Sequence, residues 1–228
     1  MCGPTPATQT AAAPAAAARS LPRIGDKAPD FTAQTTHGEL QMSKFAEGKW
    51  LLLFSHPADF TPVCSTELTE FERRREEFDR RGAKMMAISV DSIHSHLAWL
   101  QNLGQILKIR PNFPIIADSH RKVAELYGMI HPQESATVTV RALFVIDPKQ
   151  TIRAIIYYPL NVGRNVDEVL RVVDALQTAD GNGVACPVNW KPGEKVIVPP
   201  PKSEVEVAQR LTLQNVERLD FYLTKKSL

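Results

Sequence analysis

Short apolar runs alternate along the chain with longer stretches in which apolar residues recur every three or four positions. Runs of the first kind, at residues 50–54 and 83–91, have the length of buried strands. Stretches of the second kind have the period of amphipathic helices. Regular alternation of the two predicts an α/β fold, with helices on both faces of a sheet.

The same reading predicts most of the remaining elements. A helix follows the first buried run, beginning near Cys64 and continuing through Phe78. Further strands are predicted at 114–117, 137–147 and 151–158, a short strand after the turn at 38–40, a helical turn at 43–46, and helices at 92–103, 121–127 and 165–178. From residue 184 the chain becomes Pro-rich and strand-like, which indicates a small second unit.

The connection between the first buried strand and the helix contains a candidate reactive cysteine. Cys64 is predicted in the first turn of the helix, where Pro62 suits the entrance and Pro57 stiffens the loop before it. Unpaired N–H groups and the helix dipole favour negative charge on sulfur there. The alternative is a cysteine that acts only as a small buried apolar residue. The Thr61 hydroxyl, placed to face the same pocket, favours a reactive site.

Pro57, Thr61 and Cys64 form the pattern Pro-x-x-x-Thr-x-x-Cys, and in this pattern the chain resembles the peroxiredoxins. The longer run at residues 55–68 is similar to the one-cysteine class of that family, the AhpC/TSA superfamily. The likeness continues to residue 200 through segments at 91–99, 113–116, 140–144, 163–165 and 187–190. It implies a thioredoxin-like fold with a small C-terminal extension domain, which in this class swaps across a dimer.

The resemblance implies a thiol-dependent peroxidase. Cys64 would attack hydrogen peroxide or an organic hydroperoxide, releasing water or an alcohol and becoming a sulfenic acid that an external thiol reduces. A reductant of the thioredoxin, glutaredoxin or glutathione type is expected. No metal, haem or flavin is expected to be needed.

The family pattern also nominates the residues around the sulfur. Thr61 and Arg141 are the expected catalytic partners of Cys64, although Arg141 could instead form a salt bridge on an exposed sheet face. Five further residues are expected to bind substrate or to order the site: His56, Pro57, Val63, Glu67 and Arg164. His56 could equally be a structural hydrogen-bond partner, and Glu67 could be an ordinary acid in a first helical turn.

Three cysteines, Cys2, Cys64 and Cys186, are too few and too irregularly spaced for a disulfide framework or a zinc site. A disulfide oxidoreductase would need Cys-x-x-Cys, and Cys64 is followed by Ser, Thr and Glu. Cys186 is interpreted as a packing residue, and a disulfide of Cys64 with either Cys186 or Cys2 is left open. Lipid hydrolysis is excluded because a Gly-x-Ser-x-Gly motif before the catalytic strand is missing. A peroxide sensor or holdase chaperone that uses the same cysteine remains open.

Composition sets the outer limits of function. The 228 residues are 43% hydrophobic and 23% charged, with a formal net charge of +2. So small a charge, with no basic patch among aromatics, argues against nucleic acid binding, and no apolar run is long enough for a membrane span. The expected domains are a disordered Ala/Pro-rich tail at 1–20, a peroxidase domain at 21–183 and the extension at 184–228. The cysteine content favours the cytoplasm, with organelle targeting by the tail as an open alternative. The resemblance implies a homodimer, with a decameric ring of dimers as a further possibility.

Overall fold

The computed structural model describes residues 21–228; the predicted tail at 1–20 and Cys2 lie outside them. A seven-stranded sheet organises this part of the chain. Its strands, in chain order, are β1 Thr32–Thr35, β2 Gly38–Gln41, β3 Trp50–Ser55, β4 Ala83–Ser89, β5 Ile115–Ala117, β6 Arg141–Ile146 and β7 Ile152–Tyr158. Across the sheet they run in the order β2-β1-β5-β4-β3-β6-β7.

Five helices lie between strands of this sheet and a sixth follows β7, in keeping with the predicted alternation. They are α1 Met42–Phe45, α2 Pro62–Arg73, α3 Arg75–Arg80, α4 Ile93–Ile106, α5 Lys122–Leu126 and α6 Val166–Asn182. No helix within residues 21–228 is both long and apolar enough to cross a lipid bilayer.

Strand β3 is an inner strand of the sheet, between β4 and β6, and leads directly to the Cys64 loop. It pairs in parallel with β4 and antiparallel with β6. All six of its residues are buried, because apolar groups cover both faces of the sheet at this point. Leu52 and Phe54 pack on the face that also receives Cys64, and Leu51 and Leu53 pack on the opposite face. The predicted α/β fold, with a thioredoxin-like sheet, is confirmed.

Two predicted boundaries near the site are wrong. The single helix expected after Cys64 is divided, since α2 ends at Arg73, Arg74 leaves helical geometry, and α3 begins at Arg75. The strand expected from residue 137 begins only at Arg141. Arg141 is therefore the first residue of β6 and not a residue at its centre, which places its side chain at the end of the sheet where the Cys64 loop begins.

Beyond the C-terminus of α6 the chain forms a second, three-stranded sheet and one more helix. The strands are β8 Val196–Ile197, β9 Glu217–Arg218 and β10 Thr224–Lys226, in the order β8-β10-β9. Helix α7, Glu204–Thr212, was not predicted, because the Pro-rich residues before it suggested an irregular or extended segment. None of its residues is buried in the single chain.

Candidate active site

Cys64 lies in the first turn of α2, as predicted, directly after the loop that leaves β3. Pro62 occupies the first helical position, where its missing N–H costs no helical hydrogen bond. The Cys64 side chain is fully buried, at 0% exposure, and joins the apolar cluster on this face of the sheet. Burial among apolar groups alone would disfavour a charged sulfur, so the polar groups that reach it decide its chemistry.

The Arg141 guanidinium reaches the sulfur from β6. Its Nη1 lies 3.3 Å from Cys64 Sγ and 2.8 Å from Glu67 Oε2. Its Nε and Nη2 donate to the carbonyl oxygen of Leu160, at 3.1 and 2.6 Å. Arg141 is 2% exposed, so the alternative of a salt bridge on an exposed sheet face is wrong. A cation held within hydrogen-bond distance favours negative charge on the sulfur.

Glu67, one helical turn after Cys64, connects two arginines. Its carboxylate accepts hydrogen bonds from Arg141 Nη1, from Arg164 Nε at 2.8 Å and from Arg164 Nη2 at 2.8 Å. The backbone N–H of Arg164 also donates to Glu67 Oε1, at 2.7 Å. Arg164 is further fixed by a hydrogen bond to the Ala142 carbonyl and by the faces of two phenylalanine rings, those of Phe54 and Phe71.

The charges of this cluster balance only if the sulfur is ionised. Glu67 carries one negative charge against the two positive charges of Arg141 and Arg164, and all three side chains are buried. Burial raises the pKa of Glu67, but the charge and hydrogen bonds of Arg164, followed by the charge of Arg141, outweigh it and lower that pKa below its usual value. The remaining positive charge lies beside Cys64, and a thiolate there would make the buried group neutral.

The other predicted residues lie around this cluster. Thr61 precedes α2, and its hydroxyl donates to the Ala58 carbonyl oxygen at 2.8 Å, so the hydroxyl oxygen retains its acceptor capacity. Pro57 is buried in the loop, and Val63 is half-buried beside Gly163. The His56 ring bonds to Asp59 through Nε2, at 3.0 Å, which fits the structural reading of this histidine.

Sequence reasoning missed three groups that hold the site in place. Asp59 and His96 form a buried hydrogen-bonded pair with His56, although His96 is 37 residues from Asp59 in the chain. The Leu160 carbonyl, which accepts two bonds from Arg141, belongs to a loop with no distinctive composition. The segment containing His96 was predicted as a helix and carries part of the family likeness, but spacing alone gave no indication of the partner of His96.

Cys186 contacts groups other than those that surround Cys64. It is half-buried, unpaired with another cysteine of residues 21–228, and directed at the Ala175 carbonyl oxygen at 3.5 Å. Burial raises the pKa of its thiol, with a smaller opposing effect of Arg171. A raised pKa makes it a poor nucleophile, as expected of a packing residue.

Comparison with protein families defines the class to which this fold and site belong. Residues 24–155 match the AhpC/TSA family, and residues 175–212 match the C-terminal domain of 1-Cys peroxiredoxin. A peroxiredoxin of Aquifex aeolicus (strain VF5) is 51% identical over 219 residues, which cover 92% of this chain and 98% of that protein.

Solved structures agree with this assignment. A yeast mitochondrial 1-Cys peroxiredoxin superposes with a TM-score of 0.82 at 43% identity, covering 90% of this chain and 99% of the yeast chain. A mutant of the peroxiredoxin 6 of Arenicola marina gives the same TM-score of 0.82 at 35% identity, covering 90% and 97%. The chain belongs to the peroxiredoxin family, in its one-cysteine class. It is a thiol-dependent peroxidase, which uses a peroxide and a thiol reductant, and the alternative of a sensor or holdase is not favoured.

Proposed function

We propose that Cys64 is the peroxidatic residue and that Arg141 and Thr61 are its catalytic partners. The observation that supports this most directly is the 3.3 Å separation between Arg141 Nη1 and Cys64 Sγ in a buried pocket. An N–H donor at that position can hold the thiolate before the reaction and stabilise charge on peroxide oxygen during it. The Thr61 hydroxyl oxygen would accept from the peroxide O–H while its own O–H continues to donate to the Ala58 carbonyl oxygen.

The reaction is an in-line displacement on oxygen. The Cys64 thiolate attacks the protonated oxygen of the hydroperoxide, the S–O bond forms as the O–O bond breaks, and the departing oxygen takes a proton to give water or an alcohol. Sulfur is oxidised by two electrons and becomes a sulfenic acid. One external thiol then displaces water from the sulfenic acid to give a mixed disulfide. A second thiol releases Cys64 and leaves as part of a disulfide.

In the proposal, Glu67 and Arg164 position Arg141 against the sulfur of Cys64. Glu67 fixes Arg141 against the sulfur, and Arg164 holds Glu67 through three hydrogen bonds. Pro57 and Val63 shape the approach of the substrate, and His56 completes the loop beneath it.

The test of the assignment is Cys64→Ser with Cys186→Ser as its matched control. Steady-state consumption of hydrogen peroxide in the presence of excess thiol should disappear in the first variant and persist in the second. Circular dichroism should show both variants folded. Turnover retained by Cys64→Ser would contradict the proposal.

The one-cysteine cycle requires an external reductant, and we propose a thiol of the thioredoxin, glutaredoxin or glutathione type. The yeast relative is described with a resolving mechanism through glutathione and thioredoxin systems. Each reductant should be supplied in turn under excess peroxide. Mass analysis of peroxide-treated protein without thiol should show oxidised Cys64 and no bond to Cys186. A Cys64–Cys186 linkage would overturn the one-cysteine cycle.

We also propose a cytoplasmic homodimer in which residues 184–228 form a swapped extension domain, with further assembly into a decameric ring as the open alternative. Large apolar side chains are exposed in this segment of the single chain; they include Val205, Leu211, Leu219 and Tyr222. Several exposed large apolar side chains in one segment are typical of surfaces that another chain covers.

A further inference from the structure

The hydroxyl of Ser55, the last residue of β3, lies between β3 and β6 at the point where these two strands stop pairing. The last paired residues are Phe54 and Leu143, and one more step of the same register would set Ser55 opposite Ala142. At this position the Ser55 side chain spans the gap: its hydroxyl donates to the Val140 carbonyl oxygen at 2.6 Å and accepts from the Ala142 N–H at 3.0 Å. The hydroxyl therefore replaces the backbone ladder where that ladder ends.

The two backbone groups that bind the Ser55 hydroxyl lie on either side of Arg141. Val140 precedes Arg141 and Ala142 follows it, so one oxygen atom holds the chain at both flanks of this residue. At the other end of the Arg141 side chain, Nη1 lies 3.3 Å from Cys64 Sγ. Because covalent geometry fixes the length of the side chain that joins these two ends, a shift of the backbone would be passed to the guanidinium.

Ala142 also connects the Ser55 hydroxyl to the second arginine of the site. The Ala142 N–H donates to that hydroxyl, and the Ala142 carbonyl oxygen accepts from Arg164 Nη1 at 2.9 Å. Arg164 in turn donates to Glu67, which also accepts from Arg141. A displacement of β6 at Ala142 would therefore disturb the contacts of both guanidinium groups.

A second buried hydroxyl crosses the same gap in the opposite direction. Thr139, two residues before β6, donates through Oγ1 to the His56 carbonyl oxygen at 2.8 Å. The side chains of Ser55 and Thr139 are both completely buried. A buried hydroxyl is costly unless it is hydrogen-bonded, and the backbone groups that it serves become unpaired when it is removed. The two hydroxyls together set the separation of β3 and β6 beside the active-site loop.

We propose that Ser55 is a positioning residue, whose hydroxyl fixes the β6 backbone around Arg141 and thereby keeps Arg141 Nη1 within hydrogen-bond distance of Cys64 Sγ. The effect of Ser55 on peroxide reduction rests on the proposed function, because it acts through Arg141. The effect of Ser55 on the position of Arg141 does not, and it is measured without catalysis.

Crystal structures of the reduced wild type and of Ser55→Ala test the position directly. The substitution removes one oxygen atom, so the carbonyl of Val140 and the N–H of Ala142 lose the partner that holds them to β3. We expect the separation of Arg141 Nη1 and Cys64 Sγ to increase by roughly 0.5 to 1 Å, a displacement large enough to slow an enzymatic reaction. An unchanged separation of 3.3 Å in Ser55→Ala would overturn the inference.

A double-mutant cycle with Arg141→Lys tests the route by which Ser55 acts on the reaction. In the wild-type background, Ser55→Ala should slow the oxidation of Cys64 by hydrogen peroxide about tenfold, as measured by stopped-flow fluorescence. In the Arg141→Lys background the same substitution should have little further effect, because the guanidinium that it would displace is absent. Equal rate reductions in the two backgrounds would show a general structural role and contradict the inference.

Thr35→Val is the matched control for the loss of a buried hydroxyl. The Thr35 hydroxyl donates to the Gly38 carbonyl oxygen at 2.8 Å and accepts from the His37 N–H at 3.0 Å, so it too bonds to one backbone acceptor and one backbone donor. Thr35 is buried on β1, which β5 and β4 separate from β3. The control should react at the wild-type rate. A reduction as large as that of Ser55→Ala would contradict a specific role for Ser55.

If Ser55→Ala does not fold, Ser55→Gly takes its place. The space that it vacates is polar and can admit a water molecule, which would bind the same two backbone groups without being attached to β3. The same longer separation and the same dependence on Arg141 are expected, and wild-type behaviour would overturn the inference. An Arg141→Lys variant that reacts as fast as wild type would instead refute the proposed role of Arg141, while the crystal structures would still decide whether Ser55 positions it.

Discussion

One carboxylate, Glu67, connects the guanidinium of Arg141, which lies beside the sulfur of Cys64, to the guanidinium of Arg164. Each contact of this carboxylate is shorter than 3 Å, and every member is buried, so a shift in one side chain must be passed to the others. Charge alone would not achieve this, because the planar donors of arginine fix direction as well as distance. Two predictions at this scale separate charge from geometry.

The first concerns Arg141→Lys, which retains the positive charge but cannot reach Cys64, Glu67 and the Leu160 carbonyl together. We expect the second-order rate of Cys64 oxidation to fall on the order of 100-fold, the usual effect of losing one donor to a developing anion. Stopped-flow measurement with hydrogen peroxide checks this. Arg153→Lys, in a partly exposed ion pair with Asp180, is the control and should react normally. A fast Arg141→Lys variant would show that charge suffices.

The second concerns Glu67→Gln and the pH dependence of stability. The folded pKa of Glu67 lies below its unfolded value of 4.5, so its ionised form stabilises the protein fully above that pH. The contribution is lost as pH falls through the folded pKa. Above pH 4.5 we expect Glu67→Gln to lower the free energy of unfolding by about 3 kcal/mol.

Urea unfolding over a series of pH values checks the direction of this pH dependence. The difference in free energy of unfolding between wild type and Glu67→Gln should become smaller as the pH falls. Glu70→Gln, on the same helix and in a partly exposed ion pair with Arg73, should show a small difference at all pH values. A difference for Glu67→Gln that widens in acid would contradict the assignment.

At the scale of elements, the N-termini of two helices position residues of the site. α2 begins two residues before Cys64, and α6 begins two residues after Arg164 with Asn165 as its cap. The Asn165 side chain accepts from the N–H groups of Asp167 and Glu168, at 2.9 and 3.3 Å. The start of α6 thereby determines where Arg164 meets Glu67.

Asn165→Ala tests this cap. We expect the free energy of unfolding to fall by about 1 kcal/mol, since two helical N–H groups lose their partner. Asn182→Ala is the control at the other end of the same helix, where the amide is exposed and bonds only to the Thr178 carbonyl; its effect should be a few tenths of that. Chemical denaturation of both variants measures the loss in free energy of unfolding. Equal losses in the two variants would argue against a specific capping role for Asn165.

Sequence patterns predicted the elements well where burial is continuous and poorly where it is not. The apolar run of β3 and the stripe of α6 are determined by local sequence, so their existence was predictable. The pairing of Asp59 with His96 depends on how α4 packs against a distant loop, and no local pattern encodes that. Helix α7 was missed because the Pro-rich residues before it suggested an irregular or extended segment, and none of its residues is buried in the single chain.

At the scale of the whole molecule, the described chain leaves an apolar surface on its C-terminal part. Val205 and Leu211 of α7 are 68% and 53% exposed. Six residues turn an α-helix through about 600°, so the two side chains lie about 120° apart around α7 and together expose a broad part of its surface. In the proposed dimer these side chains would be covered by the partner.

Val205→Glu combined with Leu211→Glu should therefore shift the protein to monomers, because charged groups in an apolar interface must be desolvated. Sedimentation velocity measures the result. Gln209→Glu, an exposed polar position on the same helix, is the control and should leave the assembly unchanged. A dimer that persists in the double variant would place the interface elsewhere on the molecule.

The charge balance at Cys64 has a consequence for the resting and spent forms of the enzyme. In the proposed cycle Cys64 becomes a neutral sulfenic acid, so each turnover would leave the positive charge beside it uncompensated inside the fold. The spent form should accordingly melt at a lower temperature than the resting form, with the first turn of α2 the easiest part to unravel. Oxidation of Cys64 would then destabilise the first turn of α2, in which the sulfur is buried. A bulky reductant could therefore reach the sulfur only after oxidation has occurred.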